Sequence, residues 1–453
     1  RGCMRPDCEP IRQALVAALP RQTALCVAFS GGRDSTVLLH SLAGLRRERD
    51  FELRAVHVNH GLQSVAVEWE AHCAAVADGL EVPFSAHRVT VRGQRDKGLE
   101  AAAREARYDA LRTQLHPGEW LLTAHHAGDQ LETIVLHLLR GSGVTGLAGI
   151  PRDTAFGPGR LVRPLLDIPV EALDGIASAV LFPQGIRWLI DPMNADPAFD
   201  RSFLRQQVFP ILQQRFPAAA RAAGRSASLA AEAAALLDEL GSDDGRAIVA
   251  ANRLSLPLLR KLTPARARNL IRWLARQRGW ASPPERRLRE GLAQLLEAAP
   301  GRQPVLAWAG HEIRRFRDQL HLLDSGLVGL DLPESCTEWS DLRPVRLGGL
   351  RGELSVHPGL GVGLARRVVA AGLQVAFRTG GERVRAGTDR HHRTLKYLFQ
   401  SHGILPWMRG HVPLVFAGEE LAAVADLWIA DWAAAQPAEA GFRIVWSGHP
   451  PIQ

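Results

Sequence analysis

Ser30-Gly31-Gly32-Arg33-Asp34-Ser35 combines two adjacent glycines with an acid and hydroxyls, the residue types best suited in this chain to holding a phosphate. Glycine tolerates positive φ and lets the main chain come close to an anion, and the N–H groups that open a helix point at whatever lies before them. The Gly-Lys-[Ser/Thr] ending of a plain P-loop is missing, which argues against kinase and GTPase chemistry. A second polar cluster, His125-His126-Ala127-Gly128-Asp129-Gln130-Leu131-Glu132-Thr133, carries two carboxylates three residues apart. Helical spacing puts Asp129, Glu132 and Thr133 on one face, where a carboxylate pair could hold Mg²⁺ on a polyphosphate; a solvated face would have the same spacing. Paired histidines are often structural, and no HExxH pattern points to zinc.

The elements that position these residues follow from apolar patterning. Leu25-Cys26-Val27-Ala28-Phe29 is a short apolar run that fits a strand buried in a parallel sheet, and Leu38, Leu42 and Leu45 then recur at helical spacing. The glycine turn therefore joins a strand to a helix N-terminus. A second strand over 53–59 ends in Asn59-His60-Gly61, a helix is expected over 65–79 and a strand over 84–89, which together give the βαβ alternation of a parallel sheet. In such sheets ligands sit beyond the carboxyl ends of strands, so Asn59 and His60 are expected near Asp34. Leu99–Leu115 reads as a helix on which Arg104, Tyr108, Leu111 and Leu115 share one stripe with Arg107 at its edge. A buried Arg104 would need an anion; snorkelling to solvent is the alternative. Trp120–Ala124 is the next strand and 127–139 the helix after it, ending at Arg140-Gly141-Ser142-Gly143, a loop flexible enough to close over a ligand.

The 453 residues carry 46% hydrophobic and 23% charged residues, ordinary globular values, with a net charge of +8. Only three of the basic residues are lysines (97, 261 and 396). Arginine binds phosphate oxygens in pairs and stacks on bases, so a nucleic-acid partner fits; a GC-rich genome would leave the same bias. No apolar run is long enough for a membrane span. The opening Arg1-Gly2-Cys3-Met4 has no signal-peptide pattern, and Met4 is a candidate start. Cys3, Cys8, Cys26, Cys73 and Cys336 are scattered and unpaired, so a reducing cytoplasm is the expected compartment.

Pro217 closes a first domain, 1–216. Helices over 218–240, 258–280 and 284–299, followed by a hairpin over 305–323, form a middle domain, 217–330; Arg260, Arg266, Arg268, Arg272 and Arg276 on its helices suit an RNA backbone or a solvated face. A Gly- and Pro-punctuated linker, 331–365, leads to a C-terminal domain, 366–453.

Taken together, SGGRDS (30–35), VHVNHGLQ (56–63), EAAAREARY (100–108), TAHHAGDQLET (123–133), RGSG (140–143) and DPMNADPAFDRSFLR (191–205) resemble the tRNA(Ile)-lysidine synthetases, a family within the N-type ATP pyrophosphatases. The segment from Val375 to Ile429, a strand and turn, a helix over 393–400 and a hairpin over 414–429, is similar to the family's C-terminal domain. The resemblance implies an α/β fold, an N-terminal parallel sheet flanked by helices as in adenine nucleotide α-hydrolases, then a helical middle domain and a small α+β C-terminal domain. It implies ligation of lysine to C2 of the wobble cytidine of CAU-bearing tRNA(Ile), through an adenylated tRNA, with ATP and Mg²⁺. On that scheme Ser30, Gly31, Gly32, Arg33, Asp34 and Ser35 cradle the phosphates, Asp34 and Asp129 hold Mg²⁺, and Arg104 or Arg107 offsets phosphate charge. Asp129 and Glu132 orient metal or the lysine ammonium, His125 handles a proton, and Arg205, Arg378, Arg383, Lys396 and Arg409 contact tRNA. The chain departs from the family at Gly128, where an acid is usual, and at Ser202, where Asn is usual. The rivals are a tRNA thiolase of the same superfamily, which would need suitably placed cysteines, an amidotransferase-type synthetase, which would need a glutaminase nucleophile, and an RNA-binding paralogue with decayed catalysis.

Overall fold

The computed structural model describes residues 9–20, 23–59, 66–90, 99–190, 196–299, 301–324, 326, 337–339, 341–385 and 391–453. The chain divides into two compact units, Arg1–Leu237 and Asp238–Gln453. In the first, strands β1 (Leu25–Ala28), β2 (Leu53–Asn59), β3 (Phe84–Arg88), β4 (Trp120–Leu122), β5 (Asp153–Phe156) and β6 (Gly159–Val162) form one sheet in the order β3-β2-β1-β4-β6-β5. All neighbours run parallel except the β5–β6 hairpin, with Leu25 opposite Leu53 on one side and Trp120 on the other. The fold class is thus α/β, as the alternation indicated.

Helices cover both faces, which is why the central strand β1 is apolar throughout rather than alternating. Leu25 and Val27 point into the larger core, with Ile11 and Leu15 of α1 (Glu9–Ala18) and Val37, Leu38 and Leu42 of α2 (Arg33–Leu45). Successive side chains of a strand alternate, so Cys26 faces the other side, with Leu111 and Leu115 near and beyond the end of a helix over Leu99–Gln114. Between β1 and β4 the order of connection reverses: β1 leads through α2 towards β2, whereas β4 lies on the opposite side. A crevice opens where the connections diverge. Two loops meet there, residues 29–32 after β1 and residues 123–126 after β4.

At the other end of the sheet Arg54 grips Glu119 with Nε and Nη2, at 2.6 and 2.5 Å, and Glu119 also accepts the N–H of His116 at 2.9 Å. Burial works to raise the Glu119 pKa, but these donors prevail and hold it below the ordinary value.

The second unit holds a five-stranded antiparallel sheet whose order runs from Val249–Ala250 through Arg253–Ser255, Gln319–Leu323 and His311–Phe316 to Val305–Trp308. Two expectations change here. The helix expected over 258–280 is broken, because Thr263 accepts the N–H of Arg266 and caps a new helix with Pro264 in its first turn, Pro264–Gln277. The supposed linker 331–365 contains strand Glu353–Leu360, paired along its whole length with Ala440–Ser447. Its Pro and Gly residues punctuate an edge without ending the pairing. The middle-domain arginines are engaged internally: Arg266 on Asp244, Arg268 and Arg272 on Glu285, Arg276 on Asp238, and Arg260 on the Leu296 carbonyl.

Replacing Glu119 with alanine strands the Arg54 guanidinium and should cost about 3 kcal/mol in urea unfolding. Because the folded carboxyl titrates below its unfolded value, the stabilisation of the pair is complete above the ordinary glutamate pKa of 4.5 and is lost as pH falls through the lower, folded value. A wild-type advantage over E119A that stayed constant down to pH 2 would contradict this.

Candidate active site

The crevice is a cavity of about 760 Å³, and the glycine loop forms its floor. Gly31 has φ +78°, and a Cβ there would lie 2.7 Å from Cys73 Sγ and 2.7 Å from Leu189 Cδ1. The loop is clamped from both sides, since Leu189 N–H also donates to the Gly31 carbonyl at 2.8 Å. Within the loop Ser30 Oγ lies 3.0 Å from Ser35 Oγ and accepts Gly32 N–H at 3.3 Å, and Ser35 and Thr36 hydroxyls each donate to the Gly32 carbonyl at 2.9 Å. Gly32, as the N-cap of α2, contributes no side-chain acceptor, so the first-turn N–H groups present a positive end to the cavity.

Charge on the walls favours an anion. Arg33, Arg104, Arg107, Arg201 and Arg205 line the cavity, against the carboxylates of Asp34 and Asp129. Arg33 is partly spent, donating from Nε to Asp34 Oδ1 at 2.8 Å and pairing with Asp174. Arg104 is exposed rather than buried, a correction to the helical-stripe expectation: Leu111 and Leu115 of the stripe are in the core, whereas Arg104 and Tyr108 at its other end line this cavity. Its guanidinium stands 5.0 Å from the Tyr108 ring, and that of Arg107 stands 5.6 Å away.

From the other loop, Asp129 opens the helix α3 of this site (Ala127–Leu139) and takes the His126 main-chain N–H at 2.9 Å on Oδ2. Burial opposes its ionisation, but the His126 main-chain N–H and the charge of Arg205 help outweigh it, and its pKa lies below the ordinary value. His125 lines the wall with Nδ1 2.8 Å from the Thr123 hydroxyl. Burial, aided by Arg163, Arg104 and Arg107 and opposed by Asp129, pushes its pKa down to about 3, so it is neutral at physiological pH.

Glu132 does not reach the cavity wall. It is buried behind it, accepting Arg205 Nε at 2.8 Å and lying 3.6 Å from Arg201 Nη1, while Arg201 also donates to Thr133 Oγ1 at 3.3 Å. Burial raises the Glu132 pKa, with Arg205 opposing. Arg201 and Arg205 come from helix Asp200–Phe203 and the π turn Leu204–Val208 that continues it.

Other expected residues are placed as follows. Asn59 lines the cavity, its amide donating to Ala66 O and Glu70 Oε2, both at 3.2 Å. His60 and residues 191–195 lie outside the described residues. The RGSG turn does not line the cavity; Arg140 pairs with Asp200 at 3.0 Å and the chain enters a short helix, Val144–Leu147. In the second unit, Arg378 pairs with Glu382 at 3.3 Å, and Arg409 donates to Ile404 O at 2.9 Å. Burial and the nearby charges of Arg378 and Arg317 lower the Arg409 pKa. Arg383 and Lys396 are exposed.

Sequence reasoning did not single out Arg201, His126, or the aromatic wall of Trp69, Trp188 and Phe199. Arg201 carried a signal, since it lies four residues before Arg205. The aromatics carried none, because they come from three separate segments.

The loop and the crevice place the first unit in a known class: the PP-loop domain model matches residues 8–212. Two further models match beyond it, the TilS substrate binding domain over 254–321 and the TilS substrate C-terminal domain over 373–446. Proteins named tRNA(Ile)-lysidine synthase are similar along almost the whole chain. That of Alkalilimnicola ehrlichii is 45% identical over 445 residues, covering 96% of each chain. That of Coxiella burnetii is 37% identical, covering 95% of this chain and 94% of its own, and that of Methylococcus capsulatus 38%, covering 93% and 95%. The chain belongs to the tRNA(Ile)-lysidine synthase family.

Alanine at position 31 would meet both clamps and an unfavourable φ, a strain of about 1–3 kcal/mol. ATP affinity of the Gly31→Ala protein, measured by calorimetry, should fall about tenfold or more; wild-type affinity would mean that the loop does not hold the nucleotide.

Proposed function

We propose that this chain ligates lysine to C2 of the wobble cytidine of tRNA(Ile) bearing a CAU anticodon, in two steps within the crevice. In the first, the cytidine O2 attacks the α-phosphorus of ATP, the bond to the β-phosphate oxygen breaks, and pyrophosphate leaves. In the second, the lysine Nζ, as free amine, attacks C2; the C2–O bond breaks, AMP leaves with the oxygen, and the nitrogen sheds a proton. A carbonyl-like oxygen leaves poorly until it is adenylated, which is what the nucleotide accomplishes.

The observation that carries this proposal is the convergence, in one crevice of a chain of this family, of the clamped glycine loop with a surplus of arginines over carboxylates. The loop N–H groups and Ser30 and Ser35 receive phosphate oxygens, and Arg104 and Arg107 draw charge from the opposite wall. Asp34 and Asp129 face the same space from two elements, an oxygen donor pair of the kind Mg²⁺ uses together with phosphates. Those two residues would hold the ion, which when bound shields phosphate charge. Asp129 attracts the lysine ammonium, while Glu132 acts from behind by fixing Arg201 and Arg205. His125, being neutral, serves as a hydrogen-bonding wall and is a weak base. The exposed arginines and Lys396 of the second unit meet the tRNA, whose compartment is the cytoplasm.

Thiolase chemistry is disfavoured on physical grounds. Among the described residues no cysteine lines the cavity, and burial pushes the thiols of Cys26 and Cys73 up to about 12, too high to supply a thiolate.

Purified protein given CAU-bearing tRNA(Ile), ATP and labelled lysine should transfer label to tRNA with matching AMP and pyrophosphate. No label and no AMP would overturn the proposal. Asp34→Ala should lower AMP formation about 100-fold or more with tRNA affinity retained; lost tRNA binding would assign the loop to RNA instead.

A further inference from the structure

We propose that His126 is a positioning residue that holds the carboxylates of Asp34 and Asp129 in register across the crevice, and that Gly128 is the residue that admits its ring. The inference deepens the ligase proposal and rests on it for the reaction concerned. His126 is buried and is the N-cap of the helix Ala127–Leu139. Its Nδ1 accepts the Gly128 N–H at 3.0 Å, so in the neutral ring the proton sits on Nε2. That Nε2 lies between the two acids, 3.7 Å from Asp34 Oδ2 and 3.6 Å from Asp129 Oδ2. At these separations the N–H is an electrostatic donor shared by both carboxylates and not a hydrogen bond to either.

The two acids come from different βα units, Asp34 from the first turn after β1 and Asp129 from the first turn after β4, and their like charges repel across the crevice. His126 is tied to one of them through its own main chain, donating its N–H to Asp129 Oδ2 at 2.9 Å, and reaches the other with its ring. One residue therefore spans the gap. The span needs glycine two positions on: a Cβ at 128 would lie 2.7 Å from His126 Cε1 and 3.0 Å from Nδ1, so any side chain there turns the ring out of its seat.

Two variants separate this role from simple helix capping. His126→Asn keeps a side chain that caps a helix well but ends short of Asp34; Gly128→Ala keeps the histidine and removes the space for it. Each should lower kcat for tRNA-dependent AMP release roughly tenfold, with tRNA affinity unchanged and the thermal midpoint of the asparagine variant near wild type. Histidine ¹⁵N spectra of the free protein, with His126 assigned by the signals missing from H126N, should show Nε2 protonated and Nδ1 bare. Wild-type kcat in both variants, or a proton on Nδ1, would overturn the proposal. The ring spectrum needs no turnover, so a wild-type protein that made no lysidine would sink the ligase proposal alone and leave this one to be judged by the tautomer.

Discussion

Everything in the first unit depends on bringing a polypeptide main chain close to a polyanion and holding it there. A main chain can approach so closely only where no Cβ intervenes, and the approach is useful only if the loop is already in place when the anion arrives. Gly31 meets the first condition through its positive φ; Cys73 beneath it and Leu189 above meet the second. The sheet order does the rest, because the reversal between β1 and β4 leaves a gap in which a rigid loop can face a second set of side chains.

The second set is arranged in depth. Arg201 and Arg205 face the cavity, and Glu132 stands behind them, buried and paired to both. An arginine held from behind keeps its planar fork aimed, and so loses less freedom on binding than one swinging from the surface. The same economy applies to Tyr108, which carries two guanidinium groups near its ring and lies within the field of the buried Arg163. Arg163 contributes a second effect at a distance, since its charge helps keep His125 neutral. The pocket is therefore cationic through delocalised guanidinium groups that stay charged, and not through histidines that would titrate.

The α/β class, the position of the glycine loop and the acidic helix after β4 were legible in the sequence, because each rests on a local pattern: an apolar run, a helical repeat, a pair of glycines before a helix. What failed depended on surroundings. The stripe holding Arg104 runs from the core at Leu111 and Leu115 out to the open cavity at Arg104, and periodicity cannot tell where one gives way to the other. Asp129 and Glu132 share a helical face, as their spacing required, yet one reaches the cavity and the other is covered by arginines from a segment seventy residues away in sequence. Strand Glu353–Leu360 was hidden because its partner, Ala440–Ser447, lies near the far end of the chain and its own Pro and Gly resemble loop. Arg163 had no signal, since a buried arginine that donates to the Pro151 carbonyl leaves no trace in spacing.

The Arg54–Glu119 clamp sits at the opposite end of the sheet from the crevice, and the two share strands but no side chains. Cohesion and chemistry are thereby lodged at different poles of one scaffold. Sequence change can accumulate at the clamped pole, raising or lowering tolerance to heat, without disturbing the charges that meet the substrate. A lineage moving between thermal habitats could retune this enzyme there and keep its reaction intact.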